Sequence, residues 1–264
     1  MPLMDHLREL RNRVVVSVLA LALATVVGLI FFDPIWAFMS EPYCSLDISK
    51  KVRPECTFAV RGVFESFFVN LKVAALAGVV ASSPVWLYQV WKFVTPALYR
   101  NEKRHTIVFL SIAVPLFLVG AVFAYLVMDT GLGFLLGFMP DSALPFIEMD
   151  EYLSYWVIML LVFGVSFELP LLLVFLNVIG VLPRATLAKH RRTTVFLLFV
   201  FSAVITPGGD IFTMLALTVP MLVLYSVAEL FMFIRERRLP ADPDDYSALD
   251  DDEISPLDLS DDNR

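Results

Sequence analysis

The sequence predicts an all-α membrane protein with six transmembrane helices and both termini in the cytoplasm. Hydrophobic residues make up 58% of the 264 residues, and the mean hydropathy of +0.75 is high for a soluble domain of this length. The apolar residues form runs long enough to cross the roughly 30 Å hydrocarbon core of a bilayer. Basic residues lie mainly between alternate runs, which gives the chain an orientation.

Four apolar runs meet the length requirement directly: they cover about residues 14–32, 70–91, 107–128 and 154–180. The last apolar stretch, 193–234, is interrupted by the turn signal TPGGD at 206–210. It is therefore read as two spans, about 193–205 and 212–234. The first of these has about 13 residues, which is short for a bilayer and predicts local thinning or a tilted pair of helices there.

The basic residues indicate which side of the membrane each connection faces. Fifteen of the 20 Lys and Arg fall on the side of the two termini and of the second and fourth connections. They are Arg8, Arg11, Arg13, Lys92, Arg100, Lys103, Arg104, Arg184, Lys189, Arg191, Arg192, Arg235, Arg237, Arg238 and Arg264. Because cytoplasmic connections carry the excess of Lys and Arg, both termini are predicted to be cytoplasmic.

The chain divides into a transmembrane domain, residues 1–240, and a carboxyl-terminal tail, residues 241–264. Residues 242–264 hold ten Asp and Glu against one Arg, with little apolar content. Such a segment cannot bury enough apolar surface to fold, so it is predicted to be disordered.

The first outer connection, about residues 33–69, carries both cysteines of the chain. Cys44 and Cys56 are separated by eleven residues, so a disulfide closes easily in an oxidising compartment, and two unpaired thiols are the alternative. An apolar set follows at helical spacing: Phe58, Val60, Val63, Phe64, Phe67, Phe68 and Leu71. It predicts an amphipathic helix that packs on the outer face of the bundle as a lid.

Motifs of common enzyme and metal sites are missing from the sequence. It contains no phosphate-binding G-x-x-x-x-G-K-[ST], no zinc-binding H-E-x-x-H and no G-x-S-x-G of serine hydrolases. The histidines, His6, His105 and His190, lie in different cytoplasmic segments and are read as surface residues rather than metal ligands. We therefore expect no enzyme activity, no metal or other cofactor, and no nucleic-acid partner.

Two carboxylates, Glu9 and Glu102, lie among basic residues on the cytoplasmic side. Glu9 has Arg13 four residues on, and Glu102 has basic neighbours in PALYRNEKR (96–104), so each is open to neutralisation within its own segment. The alternative is that the two acids form a fork for guanidinium groups. Arg pairs with a carboxylate in a bidentate geometry that Lys cannot copy, so two acids would select two arginines.

Four stretches resemble the signature sequences of the TatC family, the receptor subunits of twin-arginine protein translocases. They are HLRELRNR (6–13), SPVWLYQVWKFVTPALYRNEKR (83–104), FGVSFELP (163–170) and TPGGDIF (206–212). The resemblance runs in order from about residue 5 to residue 238 and leaves out the acidic tail. One departure is MDTG (128–131), where the third span is expected to end but the proline of many relatives is missing.

The resemblance implies a function and a signal-peptide site. The function is that of a twin-arginine signal peptide receptor in a translocase that exports folded proteins across the cytoplasmic membrane of a bacterium, driven by the proton-motive force. The implied site consists of Glu9, Arg11, Gln89, Phe93 and Glu102. This favours the receptor interpretation of the two carboxylates over their neutralisation by neighbours.

The resemblance also implies partners and an overall shape. The partners are the TatA and TatB subunits, the signal peptides of folded cargo, further copies of the chain and the lipid bilayer. The shape is a curved helical wall, concave toward lipid, with an extracytoplasmic cap.

Glu168 lies in an apolar run, 156–181, and is the candidate polar site within the membrane. A charged acid at a helix centre costs roughly 2.5–3.5 kcal/mol on insertion scales, much of which is avoided if it keeps its proton. Three interpretations stay open: a protonated structural acid bonded to a neighbour such as Ser166, a proton or ion relay, and a polar spot in the concave face that draws water beside the passing substrate. The resemblance favours a functional role.

Asp210 and Glu229 are secondary candidates. Asp210 begins the sixth span, where an acid suits a helix amino terminus, and Glu229 lies near the end of that span, where a structural pair with Arg235 is expected. Two other functions stay open: a secondary transporter of a small solute or ion coupled at Glu168, and a scaffold for other membrane proteins. The transporter interpretation lacks an inverted repeat and leaves the cytoplasmic carboxylates unexplained.

Overall fold

Helices make up nearly all of the chain that the structure describes. The computed structural model describes residues 3–46, 58–94, 102–140 and 146–238, without the side chains at 3, 5, 6 and 102–106. Within these ranges the only extended pairing is a single bridge between Ala59 and Glu148. The predicted all-α class is therefore confirmed.

The helices follow one another through short connections. In chain order they are α1 (Leu3–Ile30), α2 (Phe32–Cys44), α3 (Glu65–Ala81), α4 (Ser83–Val94), α5 (Glu102–Leu136), α6 (Met149–Val178), α7 (Arg184–Lys189), α8 (Arg191–Ile205) and, after a 3-10 turn (Pro207–Gly209), α9 (Ile211–Arg238). Pro170 lies inside α6 and Pro220 inside α9 without ending either helix. Membrane helices tolerate proline where neighbouring groups satisfy the freed carbonyl.

Four helices are long and apolar enough to cross a membrane. The qualifying stretches are Leu7–Ile30, Ile107–Leu136, Met149–Val178 and Ile211–Arg238. α3 and α4 qualify together as one span, bent by 59° between them. α8 coincides with the predicted short fifth span, but its 15 residues extend only about 22 Å against roughly 30 Å of hydrocarbon, so its crossing stays a prediction.

Two helices are longer than their predicted spans. The expected end of the third span near 128–131 is wrong, because α5 continues to Leu136. Asp129 lies inside the helix, and its Oδ1 accepts hydrogen bonds from the amide and hydroxyl of the adjacent Thr130 at 2.6 and 3.1 Å. α6 begins at Met149 rather than 154. The predicted spans stopped at polar residues near 129 and before 154, whereas both helices continue through them.

The predicted amphipathic lid over residues 58–71 is also wrong. Residues 58–61 are not helical, and Ala59 makes two backbone hydrogen bonds of 3.0 Å to the segment that leads into α6. From Glu65 onward the chain is already the first half of the bent span. Phe58 packs inward against aromatic rings of α2 and α6. The other members are exposed instead of packed on the bundle: Val60, Val63, Phe64, Phe67, Phe68 and Leu71.

α6 runs through the middle of the core. Fourteen of its 30 residues are buried, so it has neighbours on most of its sides. α5 approaches it most closely where two glycines meet: a Cβ at Gly120 would lie 2.8 Å from the Phe163 carbonyl oxygen, and one at Gly164 would lie 2.6 Å from a ring carbon of Phe117. Small residues allow such close contact between membrane helices, and a larger side chain would separate α5 from α6.

α1 packs antiparallel against α3 through the same kind of contact. A Cβ at Gly28 would lie 2.8 Å from the Ala74 carbonyl oxygen, and one at Gly78 would lie 2.8 Å from Thr25 Oγ1. Residue numbers thus fall along α1 as they rise along α3, and α1 also packs against α4. The first turns of α1 and the last turns of α4 therefore lie at the same end of the bundle.

α2 is attached to the opposite end of the bundle, where α6 begins. Tyr152 Oη and Trp156 Nε1 both donate to the carbonyl oxygen of Met39, the second at 3.0 Å. Close by, Lys72 Nζ of α3 lies 2.5 Å from Asp150 Oδ1 of α6. These contacts hold α2 across the ends of α3 and α6.

Candidate functional site

Basic side chains gather at the end of the bundle remote from α2, which we call the basic end. It is formed by the first turns of α1 and α8, the last turns of α4, α6 and α9, and α7. Its described basic residues are Arg8, Arg11, Arg13, Lys92, Arg184, Lys189, Arg191, Arg192, Arg235, Arg237 and Arg238. The candidates Glu9, Arg11, Gln89 and Phe93 all belong to helices that meet there.

Glu9 is paired within its own helix. Arg13, four residues further along α1, donates to Glu9 Oε1 from Nη2 and from Nε, the latter at 3.2 Å. The Glu9 side chain is 37% exposed and that of Arg13 is 11% exposed. The neutralised arrangement considered from the sequence is therefore present in this structure. Because Arg13 is nearly buried, this is not a simple surface pair, and a second guanidinium must compete with Arg13 for the more exposed Glu9.

The other members of the implied site lie on α1 and α4. Arg11 is exposed, and its Nη2 lies 3.5 Å from Asn12 Oδ1. Gln89 and Phe93 are half-buried and four residues apart, so they share one face of α4. The structure brings these two helices together at the basic end. Glu102 is the first residue of α5, and its side chain lies outside the described residues.

Glu168 is held in an apolar pocket in the middle of α6. Both of its carboxyl oxygens are buried, and within the described chain neither has a hydrogen-bond partner. The bond to Ser166 that one of the three interpretations offered is not formed, since the Ser166 hydroxyl is likewise buried without a partner there. The pocket has a volume of about 230 Å³ and is otherwise lined by apolar residues of α4 and α6, among them Trp86 and Trp91.

A second apolar pocket continues the same face of α6 toward α2. It has a volume of about 430 Å³ and lies between α2, α3 and α6, with Trp156 and Leu160 on its α6 side. Both pockets lie on the side of α6 that faces the bent α3–α4 pair, one lined by α3 and the other by α4. Steps of four residues drift by about 40° each, so this side turns gradually around α6 between Trp156 and Leu172. Of the described residues that line the two pockets, Glu168 is the only ionisable one.

The bend between α3 and α4 lies beside this face. Trp86 Nε1 donates to the Val79 carbonyl oxygen across the bend at 3.0 Å. Ser82 and Ser83 are buried at the junction, and their hydroxyls have no hydrogen-bond partner among the described residues. The bend therefore places two more polar groups in the core of the span.

Asp210 caps α9. It is 3% exposed, and its Oδ1 accepts a hydrogen bond of 2.7 Å from the Thr213 amide in the first turn. This agrees with the helix-terminal interpretation, because the first amides of a helix lack partners within it. Asp210 Oδ2 is buried without a partner in the described part of the chain.

The expected pair between Glu229 and Arg235 is wrong. Glu229 Oε2 lies 3.5 Å from Arg191 Nε of α8. A spacing of six residues turns two side chains about 120° apart on a helix, so they do not face each other. Arg235 instead donates to the end of α6, to the carbonyl oxygen and Oδ1 of Asn177 at 3.3 and 3.2 Å and to the Val178 carbonyl oxygen at 3.1 Å.

Asn177 links α6 to α9 and was not singled out from the sequence. Its Nδ2 donates to Glu236 Oε1 at 2.8 Å and to the Leu182 carbonyl oxygen at 3.0 Å, and Glu236 also accepts from the Arg184 amide at 3.0 Å. An asparagine within an otherwise apolar run was the available signal. The contacts show that α6 and α9 end side by side at the basic end.

The cysteines are described only in part. Cys44, the last residue of α2, is disulfide-bonded. Cys56 lies outside the described residues, so the bridge between Cys44 and Cys56 stays a prediction.

Known proteins are similar to this chain along most of its length. Residues 5–220 match the family model described as Sec-independent protein translocase protein (TatC). The protein of that name from Frankia casuarinae is 48% identical over 99% of this chain and 74% of its own length. The one from Aquifex aeolicus is 35% identical over 86% of this chain and 93% of its own length. A crystal structure of the twin-arginine translocase receptor TatC is 33% identical, with a TM-score of 0.68 over 88% of this chain and 100% of that chain.

Proposed function

The chain belongs to the TatC family of Sec-independent protein translocase proteins, and we propose that it binds the twin-arginine signal peptides of folded cargo at its basic end. As a translocase component it is not an enzyme. The chain forms the core of a machine that exports folded proteins, driven by the proton-motive force. TatA and TatB are its partner subunits, and further copies of the chain associate with it.

The proposed topology has six spans with both termini in the cytoplasm of a bacterium. α8 is the short fifth span, and residues 1–240 form a concave wall whose extracytoplasmic cap is built around α2. Two observations support this. The amino end of α1 and the carboxyl end of α9 lie at the same end of the bundle, and that end carries most of the described basic residues. The acidic tail, residues 241–264, is a solvated cytoplasmic end.

Glu9 and Glu102 are proposed to receive the two arginines of the signal peptide. The observation that carries this is the packing of α1 against α4, which brings Glu9 to the end of the bundle where Gln89 and Phe93 lie, shortly before α5 begins. On binding, a peptide guanidinium replaces Arg13 at Glu9. Because the exchange conserves the ion pair at Glu9, most of the binding free energy of the peptide comes from its contacts with Glu102, Gln89 and Phe93.

The apolar part of the signal peptide is proposed to lie along the face of α6 that carries the two pockets. Their linings are apolar apart from Glu168, which suits an apolar segment. Glu168 supplies a polar point midway along this path and draws water to the inserted peptide. The preformed pockets reduce the protein rearrangement that insertion requires.

Peptide binding to the purified protein in detergent tests the proposal. A labelled twin-arginine peptide is titrated against the native protein and a Glu102→Ala variant, alongside a twin-lysine peptide. Loss of one charge-assisted pair removes about 1.5–3 kcal/mol, which corresponds to a fall in affinity of about 10- to 100-fold. We expect the lysine peptide and the Glu102→Ala variant each to show this fall.

A matched acidic variant distinguishes the site from a general charge effect. Glu41→Ala removes an exposed carboxylate from α2, at the far end of the bundle, and is expected to leave the affinity unchanged. Equal binding in all arms, or binding in none, contradicts the assignment of the two carboxylates as the recognition site.

A further inference from the structure

A groove of about 390 Å³ opens between α5, α6 and α9 near the basic end. Among the described residues, every lining side chain except one is apolar, including Ile112 of α5, Val174 of α6 and Phe231 of α9. Ile112, Val227 and Phe231 are 47%, 57% and 51% exposed, so the groove is open along its outer side. Its volume is within the range of ligand pockets, about 300–1,000 Å³.

The exception is Arg235, which lines the groove one turn from the end of α9. Its guanidinium is held by three hydrogen bonds to Asn177 and Val178. An arginine has five N–H donors, so donors remain for a ligand. Since the acceptors belong to the last turn of α6, they also fix the direction in which the guanidinium points.

Arg235 makes no direct ion pair in the described chain, and Asn177 stands between its guanidinium and the Glu236 carboxylate. In the described part of the chain, no carboxylate lies within 4.0 Å of it as an ion-pair partner. The neighbouring Glu236 is turned toward Asn177 and the Arg184 amide instead. The acceptors of Arg235 are partial charges at a helix end, so a half-buried cation at the edge of an apolar groove is left to attract an anion.

We propose that this groove binds an anionic phospholipid, with one acyl chain along the apolar lining and the phosphate on Arg235. The groove descends from the basic end into the span, which is the geometry of a lipid in one leaflet. In the proposed orientation this is the cytoplasmic leaflet, where basic pockets between membrane helices bind anionic headgroups. The acidic tail could supply a negative charge, but residues 242–264 offer few apolar side chains to fill the groove.

Native mass spectrometry of the full chain tests the proposal. Protein extracted in mild detergent is mixed with phosphatidylglycerol or phosphatidylcholine of the same acyl chains. We expect preferential retention of one phosphatidylglycerol. Arg235→Gln is expected to lower that retention about tenfold, the effect of losing about 1.4 kcal/mol of charge-assisted bonding.

Because Arg235 also holds the end of α6, a second variant blocks the groove and leaves the arginine in place. Val227→Trp introduces a large side chain on the exposed rim of the groove and is expected to lower phosphatidylglycerol retention similarly. Val223→Trp, one turn away at a position 58% exposed and outside the lining, is the matched control. Arg238→Gln, an exposed cation outside the lining, is the control for charge. Both controls are expected to bind the lipid normally.

The outcomes separate the possible occupants. Equal retention of the two lipids, or retention unaffected by either Arg235→Gln or Val227→Trp, overturns the proposal. A tenfold gain in lipid binding after removal of residues 242–264 also overturns it, because it identifies the tail as the resident occupant. The proposal is also overturned if a second protein chain crosslinks in the groove and displaces the lipid. Lipid retention is read without a signal peptide, so its failure is distinct from failure of the receptor function.

Discussion

Glu168 has two buried carboxyl oxygens that make no hydrogen bond within the described chain. An unsatisfied buried polar group costs about 1–3 kcal/mol of stability. Glu168→Leu is therefore expected to raise the unfolding temperature in detergent. The same change is expected to lower cargo transport, because the residue lies on the face proposed to receive the signal peptide. Transport into membrane vesicles and thermal unfolding measure the two effects.

Ser166→Ala is the control for this prediction. Its hydroxyl is also buried without a partner in the described chain, but Ser166 does not line the pocket that holds Glu168. We expect transport at the native rate. The functional interpretation of Glu168 fails if Glu168→Gln and Glu168→Ala both transport cargo as fast as the native protein.

Two substitutions at Asp210 distinguish its role as a helix cap from the effect of its negative charge. Asp210→Ala removes the acceptor of the Thr213 amide and is expected to destabilise the protein by about 1 kcal/mol. Asp210→Asn keeps an oxygen that caps equally well, so its stability is expected to stay within a few tenths of a kcal/mol of native. Thermal unfolding compares the variants. If Asn is as damaging as Ala, the residue acts through its charge rather than as a cap.

The junction of α5 and α6 depends on backbone contact. A Cβ at Gly120 would meet the Phe163 carbonyl oxygen at 2.8 Å, and main chain at the centre of the bundle cannot move aside easily. Gly120→Ala is expected to destabilise the protein by about 1–3 kcal/mol, as overpacking does. The matched control is Gly62→Ala, where an added Cβ meets nothing within 4 Å. Similar loss of stability in both variants would show that close packing is not the cause.

Hydrophobic runs and turn signals predicted the helices well but not their ends. The TPGGD break separates α8 from α9 as expected. The end of α5 was missed because the prediction took MDTG (128–131) as a stop, whereas the helix runs through Asp129 and two glycines to Leu136. The lid over 58–71 was missed because the pairing of Ala59 with the chain before α6 depends on contacts distant in sequence.

In the candidate site, too, contacts between residues close in sequence could be predicted, and contacts between helices could not. The Glu9–Arg13 pair could be predicted because residues four apart on a helix meet whatever the fold. The partner of Glu229 could not be, since Arg191 reaches it from another helix. The apolar surroundings of Glu168 followed from its run of neighbours, whereas the pocket depends on how α4 bends toward α6.

The orientation of the whole molecule depends on α8. With the bent α3–α4 pair counted as one span, the long helices make five, and a crossing by α8 makes six. Met4→Cys and Arg238→Cys are therefore expected to react with an impermeant maleimide from the same, cytoplasmic side. Phe146→Cys, exposed between α5 and α6, should react from the outside. Labelling of Met4→Cys and Arg238→Cys from opposite sides would show that α8 does not cross.

The attachment of α2 uses main chain on one side and side chains on the other. The carbonyl oxygen of Met39 is present whatever residue occupies the position, while its two donors exist only as long as Tyr152 and Trp156 do. The choice of residue is therefore less restricted at position 39 than at positions 152 and 156. Another apolar residue of similar volume at 39 keeps both hydrogen bonds, whereas a change at 152 or 156 removes one of them, so the position of α2 is set by side chains of α6.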